Sequence, residues 1–181
     1  MARKTKQDWF IASIDILMEM GSSRLTIDAL TTQLGVTKGS FYHHFGNYHQ
    51  FKLDLLTFFE EEGTLNIITQ TEQVDSPQEK LRRLMEIIVA ETARYPARME
   101  VALRAWALQD NEVRSLMEKV DAQRLSYVQT LCYDMTGDES QSRLMAELMY
   151  TVLVGSEHTM PPLVQTRLRP LFDEFLRLYE I

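Results

Sequence analysis

The 181-residue sequence predicts an all-α protein of about nine helices, and three observations carry that prediction. Apolar residues recur at i, i+3, i+4 spacing along most of the chain, while the alternation of a half-buried strand is never sustained. Four of the seven glycines (Gly21, Gly35, Gly39, Gly46) fall in the first 46 residues, and all five prolines lie at 77 or beyond. Short helices with tight turns therefore open the chain, and longer helices follow. Hydrophobic residues at 45% and charged residues at 25% suffice for a packed core, which excludes disorder throughout.

The first helix is predicted over about residues 8–20, with Phe10, Ile14, Leu17 and Met18 on one stripe and Gly21 as its stop. Thr26 caps a second helix over 27–34, ended by Gly35. Thr37 caps a third over 38–45, ended by Gly46. Asn47 caps a fourth through about residue 62. Ser76-Pro77-Gln78-Glu79 is a capping box with proline at the first helical position, and it opens a helix to about residue 94. Helices over about 97–108, 111–135, 139–157 and 166–179 complete the chain, the last two flanking a loop with Pro161-Pro162. On those two, Leu144, Leu148, Thr151, Val152 and Gly155 pair with Leu168, Leu171, Phe172, Phe175 and Leu176 as a candidate four-helix interface between two copies.

The informative stretch is residues 26–51, T-I-D-A-L-T-T-Q-L-G-V-T-K-G-S-F-Y-H-H-F-G-N-Y-H-Q-F. Two short helices joined by a glycine-containing turn form the helix-turn-helix pattern. Ala29, Leu30, Leu34, Val36, Phe41 and Phe45 have the spacing to pack against the first helix. The third helix then presents an outer face that is small and polar at its start: Thr37, Lys38, Gly39, Ser40. Such a surface suits a major groove, where the first residues of a recognition helix meet base edges. Gly39 costs a helix about 1 kcal/mol relative to alanine, a cost that close approach to DNA explains. Donors for phosphates are the Thr37 and Tyr42 hydroxyls, His43, and the backbone N–H groups at Asn47 and Tyr48. Arg3, Lys4 and Lys6 add a basic arm.

The string V-T-K-G-S-F-Y-H-H-F, preceded by a helix ending at Gly21 and by Thr26, resembles the DNA-binding domain of the TetR family of bacterial transcriptional repressors, over roughly residues 8–55. The resemblance implies a homodimer of all-α subunits. Each N-terminal domain (residues 1–52) reads half of a palindromic double-stranded DNA operator. Each C-terminal domain (53–181) dimerises and binds a small-molecule inducer. Positions matching the family's DNA contacts are Thr26, Thr37, Lys38, Gly39, Ser40, Tyr42, His43 and His44. Three positions depart from the pattern. Tyr48 stands where the family usually has lysine, so that phosphate contact either passes to the Tyr48 hydroxyl or is lost; Asp28 replaces a basic or polar residue; Thr31 replaces a small alanine.

Ligand candidates are weaker. Arg104, beside Ala105-Trp106-Ala107, suits an anionic ligand if partly buried. Trp106, Tyr127 and Tyr150 either line a cavity or complete the core, and the ten methionines read equally as adaptable pocket or core filler. The single cysteine, Cys132, excludes an internal disulfide and a multi-cysteine zinc site, and its apolar flanks mark it as a buried small hydrophobe. His43, His44 and His49 fall within seven residues, but 43 and 44 point to different helix faces and no carboxylate or cysteine completes a metal set. No cofactor is expected. The sequence holds no Gly-x-Ser-x-Gly and no phosphate-binding glycine loop, so an enzyme has no residue set behind it. With no run of about 18 apolar residues and no signal-peptide core, the reading is a cytoplasmic protein with no membrane span. The competing reading is a helical ligand-binding or scaffold protein whose head binds a protein partner instead of DNA.

The net charge of −7 is a composite. Residues 1–52 carry six Lys/Arg against four Asp/Glu, a net +2, and residues 53–181 carry thirteen against twenty-two, a net −9. An acidic body limits non-specific attraction and orients the head toward DNA. A head of only +2 depends on neutral donors and helix N-termini as much as on cations.

Overall fold

The structure, a computed structural model, describes residues 4–94, 98–163 and 165–179. Arg3 of the basic arm lies outside them. Among the described residues all regular structure is helical: α1 (Lys6–Met20), a short 3-10 turn (Ser22–Arg24), α2 (Ile27–Leu34), α3 (Lys38–Phe45), α4 (Tyr48–Glu60), a π turn (Glu61–Leu65), α5 (Asn66–Thr71), α6 (Pro77–Arg94), α7 (Arg98–Ala107), α8 (Asn111–Thr136), α9 (Glu139–His158) and α10 (Gln165–Leu178). The predicted fourth helix is longer than expected, because α4, the π turn and α5 run without interruption over 48–71. Counted as one rod, they give the nine helices expected.

Local chemistry accounts for most boundaries. Thr26 accepts a hydrogen bond from the Ala29 N–H at 3.1 Å, and Asn47 accepts one from the Gln50 N–H at 2.8 Å, as N-caps should. Ser76 and Glu79 close their capping box. α1 begins two residues earlier than expected, because Thr5 and Asp8 form a second capping box that pattern reading of the apolar stripe misses. Thr37 has the extended backbone of an N-cap, but its side chain makes no capping bond. Asp110 accepts from the Glu112 and Val113 N–H groups and so starts α8.

The described chain forms two compact units, residues 1–61 with 102–117, and residues 62–101 with 118–181. The division falls later than residue 52, since α4 offers no linker there, and the first unit also takes in residues 102–117. In the first unit, α1 packs on α2, α2 on α3 and α3 on α4. Its interior is an aromatic cluster. Trp9, Phe41 and Phe51 are fully buried, with the Phe41 ring 5.5 Å from Trp9 and 5.3 Å from Phe51, and Phe45 is 5.0 Å from Phe51. Such pairs add to stability beyond the area they bury.

In the second unit, α6 packs on α5 and α10, and α9 on α10, around Leu81, Met85, Leu131, Cys132, Met145 and Phe172. Met85, Met145 and Met149 are core residues here, and burial pushes the Cys132 thiol up to about 11. Leu168 and Phe172 are buried in the same core, so they hold α10 to its own subunit instead of facing a second copy. Leu144, Leu148 and Val152 on α9 and Leu171 on α10 are exposed.

Candidate nucleic-acid interface

The turn between α2 and α3 sets the aim of the reading helix. Gly35 adopts φ +65° and ψ +38°, a left-handed conformation that glycine enters without a Cβ penalty. The Val36 N–H donates to the Thr31 carbonyl at 3.0 Å, closing the turn. Thr31, nearly buried, donates its hydroxyl to the Ile27 carbonyl at 2.8 Å, so the residue in place of alanine is satisfied within α2. Phe41 and Phe45 then pin α3 inward. With those two positions buried, the helical period turns Lys38, Gly39, Tyr42 and His43 to solvent, and Tyr42 is 50% exposed. Ser40 and His44 are half-buried at the margins, His44 with its ring 6.1 Å from Trp9. Thr26 and Thr37 are exposed at the starts of α2 and α3.

Gly39 is informative. A Cβ built there meets only the Thr37 Oγ1, at 3.6 Å, an ordinary contact. Nothing inside the protein requires glycine at that position. The helix propensity given up, about 1 kcal/mol relative to alanine, is therefore not recovered by packing.

Cations near this face are committed. Lys38 forms an ion pair with Asp28 at 2.5 Å, and Lys6 pairs with Asp54 at 2.6 Å. Lys52, one turn into α4, is bound to Asp110 at 2.8 Å and also to Glu112. Tyr48 donates its hydroxyl to the Leu25 carbonyl at 2.7 Å, bracing α4 against the segment before α2. Its proton is spent on that bond, and burial raises the phenol above the ordinary tyrosine value. The backbone start of α4 remains a donor-rich helix N-terminus. His49 faces Glu112 at 3.7 Å and does not join His43 and His44, whose rings are 5.6 Å apart.

Residues 12–51 match the family described as bacterial regulatory proteins, tetR family. That segment of the chain is similar to this family. The matched segment runs from α1 to the start of α4. No curated protein matches the sequence. Solved structures match the fold over nearly its whole length. A TetR-like transcriptional regulator from Rhodococcus sp. RHA1 has a TM-score of 0.75 at 16% identity, covering 97% of this chain and 95% of that one. A Saccharomonospora viridis protein solved in complex with choline gives 0.77 at 11%, with 95% of each chain covered. A fatty acid degradation regulator from Bacillus halodurans gives 0.68 at 16%, covering 95% and 98%. These likenesses extend the TetR-like architecture beyond the matched head.

The ligand candidates are distributed over both units. Arg104, half-buried, and Trp106, 7% exposed, belong to the first; Tyr127 and Tyr150 belong to the second. The two tyrosines serve different carboxylates. Tyr127 donates to Glu72 at 2.6 Å, and Tyr150 donates to Asp121 at 2.6 Å. Burial, reinforced by Glu72, raises the Tyr127 phenol, and burial pushes Tyr150 up to about 12. Pattern reading missed a further polar cluster. Arg124, its side chain 18% exposed, donates to Glu100 at 3.1 Å, to the Thr64 hydroxyl at 3.1 Å and to the Gly63 carbonyl at 3.2 Å. The π turn supplies the last two acceptors, one a side-chain hydroxyl and one a backbone carbonyl. A cleft of about 470 Å3 between α6 and α10, floored by Met85, Val89, Phe172 and Leu176, contains none of the four predicted ligand residues.

Proposed function

We propose that this protein is a TetR-family repressor that binds a palindromic operator as a homodimer and leaves it when a small molecule binds the second unit. The observation that carries the DNA-contact assignment is Gly39. Its missing Cβ does nothing for the fold, but it allows the backbone at the start of α3 to approach a base edge closely. Thr26, Thr37, Lys38, Ser40, Tyr42, His43 and His44 surround that point as phosphate and base contacts, while Tyr48 contributes its backbone N–H in place of its hydroxyl.

A second copy fits the exposed apolar stripe Leu144, Leu148 and Val152 of α9, with Leu171 of α10 beside it. Gly155 continues the stripe, and a Cβ there meets nothing within 4 Å, so a partner helix has room to approach. Two heads joined this way must match half-sites about 34–36 Å apart or a multiple of that spacing. A small-molecule effector is supported by the choline held in the Saccharomonospora viridis neighbour and by the hydrogen-bonded polar side chains Arg124, Tyr127 and Tyr150 of the second unit. Arg104 and Trp106 remain candidates in the first unit. Release follows only if the ligand binds more tightly to the state whose heads misfit the operator. The protein acts by binding, in the cytoplasm, without catalysis. Among the described residues no helix is long and apolar enough to cross a membrane.

Selection of bound duplexes from a random DNA pool tests the reading. A palindromic consensus is expected, with affinity falling steeply as salt rises. Lys38→Ala and Tyr42→Ala should each abolish selectivity for it. Retention of full selectivity by both variants overturns the assignment of α3, and failure to select any duplex favours a head that binds a protein partner.

A further inference from the structure

Within residues 25–51 there is one Lys or Arg, Lys38, and one Asp or Glu, Asp28. They are paired with each other. Asp28 is the second residue of α2 and Lys38 the first of α3, and their charged atoms lie 2.5 Å apart across the turn. Both side chains are largely exposed, at 71% and 61%. The fold does not need the pair. Exposed ion pairs contribute little to stability, Thr26 already caps α2, and the turn is closed by Gly35 and the Val36 N–H. The contact does alter Lys38, whose ammonium holds its proton more tightly through the hydrogen bond it donates to Asp28.

For DNA recognition the consequence is specific. Phosphates are common to every duplex, and a free lysine at the start of the reading helix takes them without regard to sequence. Here a phosphate must first displace a carboxylate, and it is itself repelled by that carboxylate. A G·C edge is different. Guanine offers N7 and O6 as acceptors to an ammonium, and the cytosine N4 amino group donates to a carboxylate, so both members of the pair find partners. We infer that Asp28 is a specificity-determining residue: it withholds the one cation of the helix-turn-helix from phosphates and, together with Lys38, selects a G·C pair in each half-site. The inference rests on the DNA-binding reading above.

The test compares wild type, Asp28→Asn and Asp28→Glu on the operator selected from a random pool and on a random-sequence duplex of equal length, across a salt series. Asp28→Asn should tighten binding to the random duplex by about tenfold at 0.1 M salt and steepen its salt slope by about 0.9, one phosphate contact. Operator binding should change less, so selectivity falls. Asp28→Glu keeps the pair and should behave as wild type. Asp28→Asn in a Lys38→Ala background should do nothing, and reselection with Asp28→Asn should lose one G·C position per half-site. Equal tightening on both duplexes, or an effect that persists without Lys38, makes Asp28 a general negative charge and overturns the inference. If wild type selects an operator and Asp28→Asn selects the same one equally well, this inference alone fails. If wild type selects no duplex, the DNA-binding reading fails and this inference falls with it.

Discussion

Gly39 and Arg124 sit in opposite situations, one giving up stability without an internal return and the other satisfying several buried groups at once. Gly39→Ala should raise the stability of the protein by up to about 1 kcal/mol, because alanine is the better helix former and its Cβ meets no obstacle. The same substitution should weaken operator binding. Urea unfolding and a binding isotherm on one preparation check both signs, and a gain in stability with unchanged binding would remove Gly39 from the interface. Arg124→Met takes the guanidinium away from the buried Glu100 carboxylate and should cost about 3–5 kcal/mol in urea unfolding. Replacing Glu100 with Met as well should recover much of that loss, since two apolar groups need no counter-charge. Gly39 could be read from sequence, because a glycine inside an amphipathic pattern is conspicuous and helix cost is local. Arg124 could not. Its partners Thr64 and Glu100 lie 60 and 24 residues away, and an arginine within a helix of mixed charge looks like any solvated one.

The helices themselves were legible wherever their ends are made by neighbouring residues. Thr26, Asn47, the Ser76 box and the glycines at 21, 35 and 46 act within four positions, and they mark the boundaries of α2, α3, α4 and α6 in the primary sequence. Tyr48 and the π turn escaped for the contrary reason. The Tyr48 hydroxyl meets a carbonyl 23 residues upstream, and the Gly63 carbonyl in the π turn accepts from an arginine 61 residues downstream. Periodicity alone directs the apolar face of α10 to a partner copy, yet Leu168 and Phe172 serve the chain's own core, because periodicity reveals an apolar face but not what covers it. The exposed stripe on α9 makes the cleaner test. Leu148→Glu puts a charge at its centre and should convert a dimer to a monomer in sedimentation while leaving helical content intact. A dimer that survives at micromolar concentration places the interface elsewhere.

Across the molecule, charge pairing predicts the response to acid. Burial opposes ionisation of Asp54 and Asp110, but hydrogen bonds from Lys6 and Gln50 to the first, and from Lys52 to the second, leave both below the ordinary aspartate value. Lys80 and Tyr127 hold Glu72 low in the second unit. Carboxyls depressed in the folded state stabilise it fully above their unfolded values near 4, and that stability is lost as pH falls through the lower folded values. Urea midpoints should therefore vary little between pH 7 and 5 on account of these groups and drop below about pH 4, and midpoints that stay level down to pH 3 would contradict the pairing. The two units also differ in a way that an optical measurement can exploit. Both tryptophans, Trp9 at the heart of the aromatic cluster and Trp106, belong to the first unit, and the second unit contains none. Tryptophan emission thus reports on the head-containing unit alone, while circular dichroism sums every helix. Coincident unfolding curves from the two signals would mean that the units melt together. An emission change caused by a small molecule bound in the second unit would register, without any label, communication reaching the residues that support the reading helix.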